Sequence, residues 1–325
     1  MNCFSSFTLN NHTLEIRREI DEMSASILKS LIYYDLFQYP LTIEEIAQHC
    51  SYPSSLSDVQ KHTDLLCSEG LIYHSKGFYS LRNDESIFER RIKGNQGAEK
   101  IMKKARKRAA LIASFPYVRC VCISGSLSKK YFDETSDIDF FVITEPGRLW
   151  ICRTLLMMFK KIFLLNSKKY FCINYFIDSG SLNIPDQNIF TATEIITLLP
   201  MYDYDIYKKF FQENRWIRNY FPNSSPHENG ELSRHTNYSL WKKIPEFLLS
   251  NRIGVFLDEL FQRVTADHWK RKFNQQREEE FEVNMRSRKN VSKHHPQGFQ
   301  FRVLKLFEEG CRSFEESYQI KLTNG

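Results

Sequence analysis

Residues 120–144 read CVCISGSLSKKYFDETSDIDFFVIT. A mostly apolar run, Val118 to Ser124, ends in Gly125-Ser126, and after the ten residues LSKKYFDETS comes Asp137-Ile138-Asp139, which opens a second apolar run, Phe140 to Thr144. Two strands joined by a connection rich in turn formers fit this pattern. Asp137 and Asp139 are two apart on the expected second strand, so both carboxylates leave one face and converge on one place.

Outward from this stretch, the upstream segment GNQGAEKIMKKARKRAALIASF, residues 94 to 115, is an expected helix. Ile101, Met102, Ala105, Ala109 and Ile112 form its apolar stripe and the Lys/Arg cluster lies opposite. Downstream, Leu149 to Leu165 is interrupted by Arg153, Lys160 and Lys161, which are costly in a bilayer core, so it is an amphipathic helix and not a membrane span. The next strand is Lys169 to Ile177, with Cys172 and Asn174 on one face and Phe171, Ile173, Tyr175 and Ile177 on the other.

A helix, a strand, Gly-Ser, a short connection and a strand opening with Asp-x-Asp resembles the polymerase-β-like nucleotidyltransferase superfamily, most of all its minimal and antibiotic-modifying members. The likeness covers about residues 94 to 180. It implies an α+β fold whose core is a small mixed sheet with helices. It also implies Mg²⁺-dependent transfer of a nucleoside monophosphate, AMP in the first instance, from a nucleoside triphosphate such as ATP to a hydroxyl acceptor: a small molecule, a protein or RNA.

The residue types suit that chemistry. Gly125 lets the backbone approach a triphosphate, and the Ser126 hydroxyl with neighbouring amides donates to phosphate oxygens. Asp137 and Asp139 supply the hard oxygen ligands that Mg²⁺ takes, and they are the expected catalytic pair. Between Gly125-Ser126 and that pair, Lys129 and Lys130 either reach the phosphates or face solvent. The resemblance calls for a third carboxylate on the later strand, as metal ligand or general base. Cys172 or Asn174 stands there instead, and Asn174 can contact metal or ribose but cannot take a proton. Asp178 and Glu194 are the acids that can substitute, although a loop acid and a helix-surface acid are the plainer accounts of them. The missing acid leaves nucleotide binding better supported than catalysis, so a catalytically silent nucleotide-binding sensor is the alternative.

Before this core, the sequence from Ala25 places Ile27, Leu28, Leu31 and Ile32 at helical spacing up to Pro40. Thr42 to Glu45 has capping-box spacing, and a third helix runs from about Ser57 to Glu69 with Gly70 after it. Leu71 to Tyr73 and Phe78 to Leu81 flank a turn, so residues 24–81 resemble a winged helix in pattern. Between Asp21 and Leu81, three Lys oppose eight acids, a net charge of −5. A DNA reader must neutralise phosphates, so DNA binding is not expected, and a packing or protein-binding module is favoured over a transcription regulator.

After residue 180 the chain reads as mostly helical, with Tyr202 to Tyr220, Trp241 to Leu249, Gly254 to Phe273 and Phe299 to Tyr318 at apolar helical spacing. Pro222 to Tyr238 reads as a loop. The basic segment Arg286 to Gln297, with His294 and His295, is expected to be a surface loop, with a contact to acceptor or nucleotide phosphate as the alternative.

The expected division is an extension over 1–23, a winged-helix-like unit over 24–81, a nucleotidyltransferase core over 82–195 and a helical region over 196–325. A chain of 325 residues with 42% hydrophobic and 26% charged residues is long and apolar enough for several cores. The net charge of +6 is matched by one segment, residues 82–115, with ten Lys/Arg against four acids; such a run is usually a solvated face. Eight cysteines scattered without a CxxC pair argue against both a disulfide framework and a zinc site. Cys120 and Cys122 are expected to be small buried hydrophobes. No basic-then-apolar leader is visible, so the expected compartment is the cytoplasm, without membrane partners.

Overall fold

Local signals set most helix ends. In a computed structural model describing residues 18–167, 169–228, 240–275, 277–295 and 297–322, strand β1 (Arg18–Glu19) leads into α1 (Glu22–Asp35), whose N-cap Asp21 accepts from the Ser24 amide. Helix α2 (Ile43–His49) carries the Thr42/Glu45 capping box and α3 (Leu56–Ser68) a second one, Ser55/Asp58. The hairpin of β2 (Tyr73–Ser75) and β3 (Phe78–Ser80) turns through Lys76 and Gly77, both at positive φ, as a two-residue hairpin loop requires. Leu41 bridges to Tyr79 beside it.

Helix α4 (Glu85–Ala113) starts earlier than its apolar stripe suggests, because Asp84 caps it by accepting from the Ser86 amide. Strand β4 (Val118–Ser124), the single turn α5 (Gly125–Ser128), β5 (Asp139–Thr144), α6 (Leu149–Phe163) and β6 (Cys172–Asp178) follow. Then come α7 (Ile189–Ile196), β7 (Leu199–Tyr202), α8 (Tyr204–Glu213), a 3₁₀ turn (Arg215–Asn219), α9 (Leu240–Leu248) and α10 (Arg252–Lys272). The last elements are α11 (Glu278–Asn284), β8 (Ser287–Arg288), β9 (Val291–Lys293), α12 (Phe299–Tyr318) and β10 (Ile320–Lys321).

The expected α+β class holds. The central sheet is mixed and six-stranded, in the order β7-β4-β5-β6-β9-β8, with only β5 and β6 parallel. The α6 crossover makes that parallel pair possible. Alternation along β4 sends Val121 and Ile123 into a core shared with α4, α6 and α10, and Cys120 and Cys122 into a core shared with α7 and α8. The two thiols lie buried 3.8 Å apart, and the seven described cysteines are free. A third core joins α1–α3 to α12 through Val303 and Phe314, and β1 pairs with β10 in parallel.

Residues 196–325 are mostly helical, as expected, but the boundary drawn at 195 does not hold. That region is not only helical: β7, β8 and β9 provide half of the central sheet, so its edge does not fall at residue 195. The segment from Arg286 is likewise no surface loop but the β8–β9 hairpin paired onto β6. A three-residue strand reading Val-Ser-Lys is too short for a period-2 signal, and its charge resembles a solvated turn. Residues 1–17 of the expected extension and 229–238 of the expected loop lie outside the described residues. No helix among the described residues is long and apolar enough to cross a membrane.

Candidate functional site

Ser124, the last residue of β4, pairs with Asp139, the first of β5, so the Gly125-Ser126 turn starts beside that carboxylate. Gly125 has φ +67°, and a Cβ there would stand 2.5 Å from Asp139 Oδ2. Only glycine therefore allows both the backbone turn and the carboxylate's position. A second close approach fixes the far side of the connection: the Phe132 amide donates to Gly94 O at 3.0 Å, and Phe132 O occupies the space a Cβ on Gly97 would take.

The strand opens at Asp139, not at Asp137. Asp137 lies in the segment just before β5, half-buried, and is not part of the cavity wall described below. The two acids nevertheless act on each other: burial, with the charges of Asp137 and Glu194, pushes the Asp139 carboxyl up to about 6, against the opposing effects of Cys172 and Lys129.

Strand β6 departs from simple alternation at the residue that matters. Phe140 pairs with Ile173 and Phe141 with Tyr175, so Asn174 is the extra residue of a β-bulge. The bulge aims Asn174 at Asp139, to which its Nδ2 donates at 3.2 Å, with Cys172 Sγ 3.1 Å away. It also moves Tyr175 and Ile177 away from the face that Phe171 and Ile173 share, correcting the face assigned to them from the sequence.

These groups open into a cavity of about 620 Å³ whose wall includes Ser124, Gly125, Ser126, Lys129, Asp139, Asn174 and Glu194. Lys129 is the lysine that turns inward. Its Nζ lies 2.8 Å from Glu194 Oε1 and donates to Gly125 O at 3.2 Å, whereas Lys130 is exposed. Of the two substitute acids, Glu194 on α7 reaches the site. Asp178 does not: it pairs with Thr144 at the opposite end of β5 and accepts from the Gly180 amide.

Sequence reasoning misses the other walls. Tyr33 and Tyr34 of α1, Phe37 and Tyr39 after it, Phe190 of α7 and Phe299 of α12 give the cavity a strongly aromatic wall. Tyr39 is locked in place: its hydroxyl donates to Lys129 O and accepts from Arg91, whose guanidinium lies 3.8 Å from the Tyr39 ring centre and pairs with Glu45 at 2.6 Å. The three-helix unit is thereby joined to the segment that carries Lys129. The β8–β9 hairpin contributes Lys293 and then His295 to the same wall, the Lys293 side of which adjoins Asp186, Asn284 and Gln300. The only sequence signal for these residues was the basic run itself.

The site defines a mixed α+β protein with a glycine-serine turn, a half-buried carboxylate and an aromatic cavity spanning its N-terminal helices and its sheet. No family model matches the chain, and neither a curated protein nor a solved structure matches it.

Proposed function

We propose that the chain is a nucleotidyltransferase: it binds a nucleoside triphosphate, ATP in the first instance, at the Gly125-Ser126 end of the cavity and transfers the nucleoside monophosphate to a hydroxyl. The observation that supports this best is that Gly125, Ser126, Lys129, Asp139 and Asn174 line one cavity, with Gly125 against Asp139, Lys129 hydrogen-bonded to Gly125 and Asn174 hydrogen-bonded to Asp139.

The donor set fits Mg²⁺. Two carboxylates close enough for one charge to raise the other's pKa are relieved by a divalent cation, and their oxygens match its preference. Asp137 and Asp139 would hold it, with substrate phosphate completing the shell; no cluster of three or more metal-binding side chains occurs among the described residues. When bound, the ion offsets charge on the phosphate oxygens. The chain's own residues do the rest. Gly125 gives the phosphates room, Lys129 offers a positive charge beside them, and Asn174 holds the Asp139 carboxylate in orientation. The acceptor oxygen forms its bond to the α-phosphorus as the bond to pyrophosphate breaks, and Glu194 takes the hydroxyl proton.

Labelled ATP, Mg²⁺ and cell extract test this. An acceptor should become labelled, and Asp137→Ala with Asp139→Ala should cut the rate at least ~100-fold, about 2.7 kcal/mol of transition-state stabilisation. Labelling that survives both substitutions overturns the reading. A second reading, nucleotide binding without turnover, is favoured by Asn174 occupying the place beside Asp139 where an acid is expected. Calorimetry showing Mg²⁺-dependent ATP binding with no labelled acceptor would select it.

A further inference from the structure

The Lys293 side of the cavity has chemistry of its own. Arg286 and Lys293, with side chains only 7% and 8% exposed, share a single carboxylate, Asp186, at 2.8 Å and 3.6 Å. Two buried cations share one buried anion; the further acid acting on Arg286, Glu282, is exposed and also pairs with Arg288, so much of the positive charge stays uncompensated, and such a charge costs several kcal/mol unless something compensates it. The Arg286 Nε and Nη1 groups have no hydrogen-bond partner among the described residues, and neither has Asn284 Oδ1, an acceptor on a residue that is 2% exposed. Lys293 donates to Gln300 Oε1 at 2.9 Å, a neutral oxygen that removes none of the excess.

The excess is not cancelled from the other end of the cavity. Besides burial, the charges acting on Lys293 are those of Asp186 and Arg286, not Asp139 or Glu194. His295 adds no charge, because burial and then Lys293 push its imidazole down to about 4. Phe190, Phe299, Tyr33 and Phe37 provide apolar wall in the same cavity.

We propose that Lys293 and Asp186 in the cavity wall, with Arg286 packed against Asp186 outside that wall, form an anion subsite that holds a carboxylate or phosphate on the second substrate, a compound with an aromatic or otherwise apolar body. This rests on the nucleotidyltransferase reading for the word "second" alone; the subsite itself stands on the cluster. The acceptor is thus a hydroxyl compound carrying its own negative charge, held by that charge while its hydroxyl is presented to the nucleotide.

The test is calorimetry of the full chain with three probes of similar size: phenyl phosphate, benzoate and neutral benzyl alcohol. Phenyl phosphate and benzoate should bind at least ~10-fold more tightly than benzyl alcohol, a difference of about 1.4 kcal/mol. Lys293→Met should erase that preference, while Asp139→Ala leaves it intact. Asp186→Asn, which removes the competing anion while keeping the side chain's shape, should tighten phenyl phosphate several-fold; because it also unpairs two buried cations, competition on the wild-type chain keeps the test decisive if either variant does not fold: inorganic phosphate should displace phenyl phosphate, and failure to displace it overturns the subsite. Equal binding of all three probes, or anion binding unchanged by both Lys293→Met and Asp186→Asn, overturns the subsite. A ~10-fold loss of Mg·ATP affinity in Lys293→Met, with phenyl phosphate unaffected, assigns the cations to the nucleotide's own phosphates and overturns the proposal as well. Failure of the nucleotidyltransferase reading looks different: no Mg·ATP binding by the wild-type chain, with the anion preference intact.

Discussion

The two polar ends of the cavity are opposites in charge and in origin. At the Gly125 end, an acid is crowded by acids: Asp139 lies near Asp137 and Glu194, with Lys129 as the nearby cation. At the Lys293 end, two cations crowd one acid. The first end comes largely from one stretch of chain, whereas the second is assembled from Asp186 before α7, Arg286 after α11 and Lys293 at the end of β9. Each end buries unmatched charge of one sign, so a ligand with a cationic or metal-bound part at one end and an anionic part at the other would relieve both.

The largest expected effect tests whether the ends really differ in sign. Asp186→Ala leaves two buried cations without their carboxylate and should cost about 3–5 kcal/mol in a denaturant titration. Asp139→Asn, at the crowded acidic end, removes a disfavoured charge while keeping an oxygen for Asn174, and should leave stability at pH 7 unchanged or raised. If the two variants lose stability alike, the contrast is broken.

Function separates the ends on a smaller scale. Lys129→Ala removes the inward cation of the Gly125 end and should weaken Mg·ATP about tenfold, about 1.4 kcal/mol, by calorimetry. Lys130→Ala, one residue on and exposed, should stay within about twofold. Equal losses would mean that the inward turn of Lys129 has no bearing on the nucleotide.

The finest comparison is in pH. Asp139 is held at about 6 against an ordinary 3.8, so its folded form retains the proton longer than the unfolded chain does. The stability this contributes is complete below about 3.8 and is lost as pH rises through about 6. Lys293 runs the other way: burial lowers it from 10.5 to about 8, so its contribution is present above 10.5 and is lost as pH falls through about 8. Denaturation midpoints across both windows should show slopes of opposite sign, each on the order of 1 kcal/mol. Asp139→Asn should flatten the first and Lys293→Met the second.

What was legible in the sequence follows the same division. Val118 to Ser124 is a seven-residue strand as expected, the Thr42/Glu45 box caps α2 as its spacing implies, and Phe299 to Tyr318 is a helix to the residue. These features depend on neighbours within a few positions, where period and capping chemistry operate. Asn174 shows where such reasoning stops. Strict alternation gives its face but not the bulge that aims it, because a bulge arises from how two strands register. Lys293 goes further: a lysine in a basic run reads as solvated, and only pairing with Tyr175 on β6 brings it to the cavity. Tyr33 and Tyr34 of α1 lie just past the helical spacing read from Ile27 to Ile32, and both are buried in the core and line the cavity.

The order of the sheet also bears on how the molecule is made. β6 has neighbours on both sides in the finished sheet, but β9 follows only after the chain from Asp178 to Ser287. At synthesis rates of about 5–20 residues per second, that edge waits on the order of ten seconds for its partner. During that interval a strand bearing Ile173, Phe176 and Ile177 offers unpaired backbone groups to any other chain nearby. The hairpin that completes the cavity is thus also the piece that covers the open edge of β6, and biogenesis of this chain should depend on whatever shields β6 until it arrives.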